Sequence, residues 1–203
     1  MKRILHVRSS LFADASASNQ LADEYLLQFT AKFPHGDITT LDLAKQPLPH
    51  LSEAEFTAWQ VPEAQRTPEQ HERAALSDRL IDQLFAHDTL VLGVPMYNLG
   101  IPSTLKAWID RIARAGKTFR YTADGPQGLV QGRTAHLLFT RGGEYRGTPL
   151  DTQTGHLQSV LGLIGITAIQ NVYAEGLNMG ETRREQGLAE ARDAMQALLA
   201  EAA

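Results

Sequence analysis

Serines at positions 10, 16 and 18 stand where an apolar run, Ile4-Leu5-His6-Val7, hands over to helical spacing, and such a handover suits phosphate. Free backbone N–H groups and the positive end of a helix dipole attract an anion, and the three hydroxyls would donate to its oxygens. Capping alone would need one of these serines and leave the others idle. A second stretch, Pro95-Met96-Tyr97-Asn98-Leu99-Gly100-Ile101-Pro102, has proline at both ends. Each proline fixes φ near −65° and removes a donor, so the loop between them is stiff and its remaining amides can be aimed at a ligand. The duller alternative makes Met96 and Tyr97 satellite core and Asn98 a turn former. The third stretch is Thr140-Arg141-Gly142-Gly143. Paired glycines permit positive φ and let a flat ligand lie against the backbone, although an ordinary glycine turn would look the same.

These stretches need elements to hold them. Residues 88–94 read DTLVLGV, a nearly continuous apolar run expected of a strand covered on both faces. After the proline-framed loop, Ser103 is placed to cap a helix whose Leu105, Trp108, Ile109 and Ile112 recur at helical spacing. The first strand contains Ile4 to Val7, and Leu21, Tyr25, Leu26 and Phe29 mark the helix after it, to about Phe33. Residues 37–43 form the expected second strand. The segment 44–67 is a long proline-rich excursion with a short helix over 53–60, the kind of insertion that makes a lid, a binding loop or a subunit contact. Thr67-Pro68-Glu69-Gln70 is a strong helix start. A small hairpin is expected from 118–122 and 128–130, with its turn at Asp124-Gly125-Pro126. Strands over 134–140 and 168–173, a helix between them whose Leu157, Val160, Leu161 and Ile164 run up to Gly165, and a terminal helix from Glu181 complete the chain.

Strands alternate with helices throughout, so the class is α/β with a doubly wound, mostly parallel five-stranded sheet and right-handed crossovers. At 203 residues, 43% of them hydrophobic, the chain suffices for one domain spanning 1–203 and is short for two. A net charge of −4 with scattered basic residues argues against nucleic acid and membrane surfaces as partners. The absence of cysteine excludes disulfides and thiolate chemistry and fits a reducing compartment. No leader-like segment precedes the first strand and no long apolar run follows, so a cytoplasmic location is expected. No metal-ligand motif, Ser-His-Asp order or paired-carboxylate motif stands out, and His6 and His136 read as core or surface residues.

In the strand order 2-1-3-4-5, the first, third and fourth strands are neighbours, so the three stretches converge at the carboxyl edge of one sheet. A phosphate site, a stiff frame of amides and a glycine pair together suit a phosphate joined by a short chain to a broad planar ring. That ligand is FMN. Ser10, Ser16-Ala17-Ser18, Met96-Tyr97-Asn98, Phe119-Arg120-Tyr121-Thr122 and Arg141-Gly142-Gly143 resemble the FMN-dependent NADH-azoreductases, also described as FMN-dependent NADH:quinone oxidoreductases, from first strand to last helix. The resemblance implies a flavodoxin-like fold with a small hairpin before the fourth strand, and a homodimer with each flavin near the subunit interface. It implies FMN phosphate at Ser10 and at Ser16, Ala17 and Ser18. The isoalloxazine would lie at Met96, Tyr97, Asn98 and Leu99, with its other edge at Thr140, Arg141, Gly142 and Gly143. Leu99, where an aromatic residue is usual, and Tyr145, where histidine is common, depart from the family pattern and bear on substrate range. With Tyr121 they are the expected walls of the substrate pocket.

The implied activity is transfer of hydride from NADH or NADPH to the flavin, followed by two-electron reduction of quinones and reductive cleavage of azo compounds. No side chain need act as acid or base. A flavodoxin-type electron carrier would share the fold but would not need the 44–67 excursion or the hairpin. A flavin-free signalling receiver would want acidic residues where the first strand ends, and this chain has Arg8-Ser9-Ser10 there.

Overall fold

The computed structural model describes residues 2–12 and 15–201. Five strands, β1 (Arg3–Arg8), β2 (Asp37–Asp42), β3 (Thr89–Pro95), β6 (Thr134–Thr140) and β7 (Ala168–Ala174), pair in parallel in the order β2-β1-β3-β6-β7. This is the expected order, with β6 and β7 as the fourth and fifth strands of the sheet. The helices are α1 (Ala17–Lys32), α2 (Glu53–Gln60), α3 (Pro68–Ala86), α4 (Ser103–Ile112), α5 (Thr152–Ile164) and α6 (Glu181–Glu201). The inserted hairpin consists of β4 (Phe119–Thr122) and β5 (Gly125–Gly128).

Alternate residues of the strands feed opposite faces of the sheet, as the period of two requires. Ile4, Val91, Leu138 and Val172 pack with Leu21 and Tyr25 of α1 and Met195 of α6. Leu5, Leu92 and Leu137 pack on the other face with Leu80 of α3, Trp108 of α4 and Leu157 of α5. Both faces are covered, which is why β3 and β6 read as apolar runs rather than alternating ones.

Several local expectations need adjustment. Helix α4 begins at Ser103 itself, with Pro102 in the capping position and no side-chain cap, and Thr104 instead donates to the Ser9 carbonyl at 3.3 Å. The second hairpin strand is 125–128 rather than 128–130, because Val130 turns inward to full burial and its amide donates to the Ile164 carbonyl at 2.8 Å. The start of α3 is as expected. Thr67 accepts from the Gln70 amide at 3.3 Å, and the Gln70 side chain accepts from the Thr67 amide at 2.9 Å.

The 44–67 excursion is sewn to the body by buried arginines that periodicity cannot show. Arg111, fully buried on α4, donates to Glu55 at 2.9 Å, and Arg66, bonded within the excursion to the Ala58 and Val61 carbonyls, pairs with Asp78 of α3 at 3.6 Å.

Candidate flavin site

The loops after β1, β3 and β6 meet at the carboxyl edge of the sheet, as neighbouring strands must. Between them lies a cavity of about 310 Å³ lined by Ser10, Ser16 and Ala17, by Pro95 and Tyr97, and by Thr140, Arg141 and Gly142.

Its floor is the start of α1. Ser16 occupies the capping position with extended backbone, yet its hydroxyl makes no cap bond, and no acidic residue sits in the first turn. Instead Ser16 Oγ and Ser18 Oγ lie 2.8 Å apart, both buried. The simple capping reading is therefore not what these serines do. Among the described residues the Ala17 and Ser18 amides donate to nothing, and two hydroxyls are clustered at this helix N-terminus.

Tyr97 ties the second loop to this floor. Its hydroxyl lies 3.0 Å from Ser10 Oγ and accepts from the Leu11 amide at 3.2 Å, while Ser10 Oγ accepts from the Phe12 amide at 3.2 Å. The phenol is thus part of the serine cluster rather than a free wall. Beyond it the chain makes a two-residue turn, with Tyr97 and Gly100 exchanging backbone bonds of 3.1 and 2.9 Å. Asn98 and Leu99 both have positive φ, 50° and 63°. Asparagine tolerates that conformation, but for leucine it costs roughly 1–2 kcal/mol.

Gln153, fully buried on α5, holds this turn. Its amide nitrogen donates to the Pro95 carbonyl at 3.0 Å and the Gly100 carbonyl at 3.1 Å, and its oxygen accepts from Arg141 Nε at 3.1 Å. Thr152 adds a hydroxyl bond to the Leu99 carbonyl.

In the third loop the Arg141 side chain turns away into the protein. Its fully buried guanidinium donates to Asp151 at 2.7 Å and Glu175 at 3.0 Å and packs over the Phe139 and Tyr173 rings, 4.8 and 5.1 Å from their centroids. The arginine is consumed by structure, and only its backbone can face the cavity. Burial alone would raise the Asp151 pKa, but hydrogen bonds from Arg141 and from the Thr154 amide and hydroxyl outweigh it and hold the carboxyl below its ordinary value. Glu175 also accepts from the Tyr145 and Arg146 amides, at 2.9 and 3.0 Å, fixing the loop beyond the glycines.

Neither glycine of the pair has positive φ, so their role is spatial. A Cβ on Gly142 would fall 2.6 Å from Asn178 Nδ2, and one on Gly143 would fall 2.9 Å from the Tyr145 ring. Among the described residues, the amides of Asn98, Leu99, Gly142 and Gly143 donate to nothing. The Gly142 amide in the cavity wall, idle amides on the adjoining loops and a helix end without a side-chain cap suit a ligand with a phosphate at one end and a flat, polar-edged ring at the other.

The expected substrate walls are not all brought together. Leu99 sits at the turn tip, 38% exposed, and Tyr145 lies beside Gly143. Tyr121, 76% exposed on the hairpin, lines a different cavity of about 680 Å³ with Leu51, Phe56 and Trp59. Sequence reading missed Gln153, Asn178 and Arg184, the last two lining the cavity of about 310 Å³. None sits in a motif, and only tertiary placement reveals them.

A family described as having the flavodoxin-like fold matches residues 2–199. The chain is 45% identical to the FMN-dependent NADH:quinone oxidoreductase of Azotobacter vinelandii, over 95% of this chain and 97% of that one. It is 47% identical to the protein of the same name from Alcanivorax borkumensis, over 93% and 96%. An azoreductase structure from Bacillus anthracis superposes with a TM-score of 0.88 at 30% identity, covering 97% of this chain and 98% of that one. An FMN-dependent NADH-azoreductase from the same organism, in complex with FMN, shares the fold with a TM-score of 0.86 at 23% identity, covering 98% and 100%. With a family match over nearly its whole length and relatives near half identical, the chain belongs to the flavodoxin-like fold family.

Proposed function

We propose that the chain is an FMN-dependent oxidoreductase, one FMN per subunit, that uses NADH or NADPH to reduce quinones by two electrons and to cleave azo compounds to amines. One observation carries the reading: a helix N-terminus without a side-chain cap, Tyr97 at the base of a strained turn and Gly142 with its idle amide line one cavity at the carboxyl edge of β1, β3 and β6. The names of the near-half-identical relatives agree with it.

When bound, FMN supplies a ring nitrogen that accepts hydride and gives it up. The chain's own work is positioning. The Ser10, Ser16 and Ser18 hydroxyls and the Ala17 amide would hold the phosphate. Met96, Tyr97, Asn98 and Leu99 would frame the ring, and Thr140, Arg141 through its backbone, Gly142 and Gly143 would meet its other edge. Amides aimed at the polar edge of the ring would stabilise negative charge that builds there. A flavodoxin-type carrier would leave the excursion and the hairpin without a use.

The reading includes a homodimer and a cytoplasmic enzyme. Phe56 and Tyr121, 51% and 76% exposed, line an apolar recess with Leu51 and Trp59, and exposed groups of this kind meet a partner. Sedimentation should give a dimer at micromolar concentration, and a monomer carrying FMN would refute this part.

No G-x-G-x-x-G follows any strand, so the chain offers no second dinucleotide unit where the nicotinamide donor could wait. Donor and acceptor should therefore take turns at one open face. Double-reciprocal plots at several fixed quinone concentrations should be parallel. Intersecting lines, with a dead-end donor analogue trapped alongside the quinone, would contradict the shared face.

A further inference from the structure

We propose that Arg184, at the start of α6, supplies the positive charge that the FMN phosphate meets, opposite the serine cluster of α1. The proposal rests on the FMN reading above.

Arg184 lines the same cavity as Ser10, Ser16 and Ala17. A phosphate monoester carries close to two negative charges at neutral pH, whereas a helix N-terminus offers the equivalent of about half a positive charge and the serines offer none. A cation within reach would offset the charge that remains. The other arginine of the lining, Arg141, keeps its guanidinium out of the cavity, paired with Asp151 and Glu175. Arg184 is half-buried, and its guanidinium makes one hydrogen bond among the described residues, to the Leu177 carbonyl at a long 3.4 Å. No carboxylate pairs with it among those residues, and most of its donors are uncommitted.

Its position in α6 points the same way. The Arg184 amide makes the first-turn bond to the Gly180 carbonyl at 3.0 Å, which puts a cation at the positive end of the helix dipole, where it is disfavoured. The adjacent Arg183 is relieved by Glu144 and Glu190. Arg184 has no such relief from the protein, and an anion in the cavity would provide it. Asn178, whose side chain packs on Gly142, lines the same wall and would add a neutral donor.

The test compares FMN with riboflavin, which lacks only the phosphate, on the full chain freed of flavin, by fluorescence quenching at several salt concentrations. The wild type should prefer FMN. In Arg184→Gln, FMN should bind about tenfold or more weakly and with a shallower salt dependence, while riboflavin stays within about twofold. Arg184→Lys should recover part of the FMN preference by keeping the charge without the planar fork. Thermal melting of each flavin-free variant separates folding from binding. If Arg184→Gln does not fold, Arg184→Met, which keeps the aliphatic stem and removes the charge, decides in its place, and an FMN-to-riboflavin ratio equal to wild type there would overturn the proposal. An unchanged ratio in Arg184→Gln overturns the proposal. Equal loss of both flavins does so too, because it leaves Arg184 only shaping the cavity. A wild type that does not prefer FMN would instead bring down the phosphate site itself, and the role of Arg184 with it.

Discussion

Tyr97 joins two loops through one hydroxyl, and Tyr25 joins two core elements in the same way. The Tyr25 hydroxyl lies 2.6 Å from Nδ1 of His136, and burial pushes the tyrosine pKa up and the His136 pKa down to about 4. His6 is also lowered to about 4, by burial and then by the Arg8 charge. Unfolded histidines titrate near 6.5, so between about pH 6.5 and 4 the unfolded chain binds protons that the folded chain refuses. Stability should be full above that window and fall within it, by about 1.4 kcal/mol per pH unit for each histidine. Urea midpoints should drop from pH 7 to pH 5, and His136→Gln should flatten the drop even though it lowers stability at pH 7. A variant whose pH dependence runs parallel to the wild type would show that His136 is not buried neutral. At this scale the serines, the Met-Tyr-Asn run and the glycines were legible because turn and ligand chemistry restrict residue types. The ion pairs of Arg141 were not legible, since its carboxylates lie 10 and 34 positions away in the chain.

The turn after β3 is the element on which the site depends most. Asn98 and Leu99 sit in a left-handed conformation that the flanking prolines did not announce, and Gln153 and Thr152 hold them there. Leu99→Gly should remove the steric cost and stabilise the flavin-free protein by roughly 1 kcal/mol, while the freer turn weakens FMN binding. Urea unfolding and fluorescence titration check the two arms. A less stable variant would mean that Leu99 is unstrained and held by packing. The five sheet strands and six helices were legible from periodicity, and the sheet order came from the doubly wound class, the convergence of the loops following from it. The hairpin register slipped because Gly125 and Pro126, read as a turn, serve as strand residues paired with Thr122 and Tyr121. The start of α4 slipped because Pro102 caps it without a side-chain bond.

In the whole molecule, the two covered faces of the sheet keep the edge at β1, β3 and β6 rigid, and chemistry is left to what binds there. The sequence could say that three loops converge. It could not say which side chains from α5, α6 and the β7 end would brace them, because those contacts join residues far apart in the chain. The central claim is that the start of α1 holds the phosphate of FMN, and Ser18→Asp tests it most directly. Ser18 is fully buried with its hydroxyl 2.8 Å from that of Ser16, so a carboxylate there would face a dianion across a poorly solvated gap and turn attraction into repulsion worth several kcal/mol. The wild type should purify yellow and release stoichiometric FMN on denaturation, and Ser18→Asp should keep its far-ultraviolet dichroism and be colourless. A folded Ser18→Asp protein that still carries stoichiometric FMN would contradict the account.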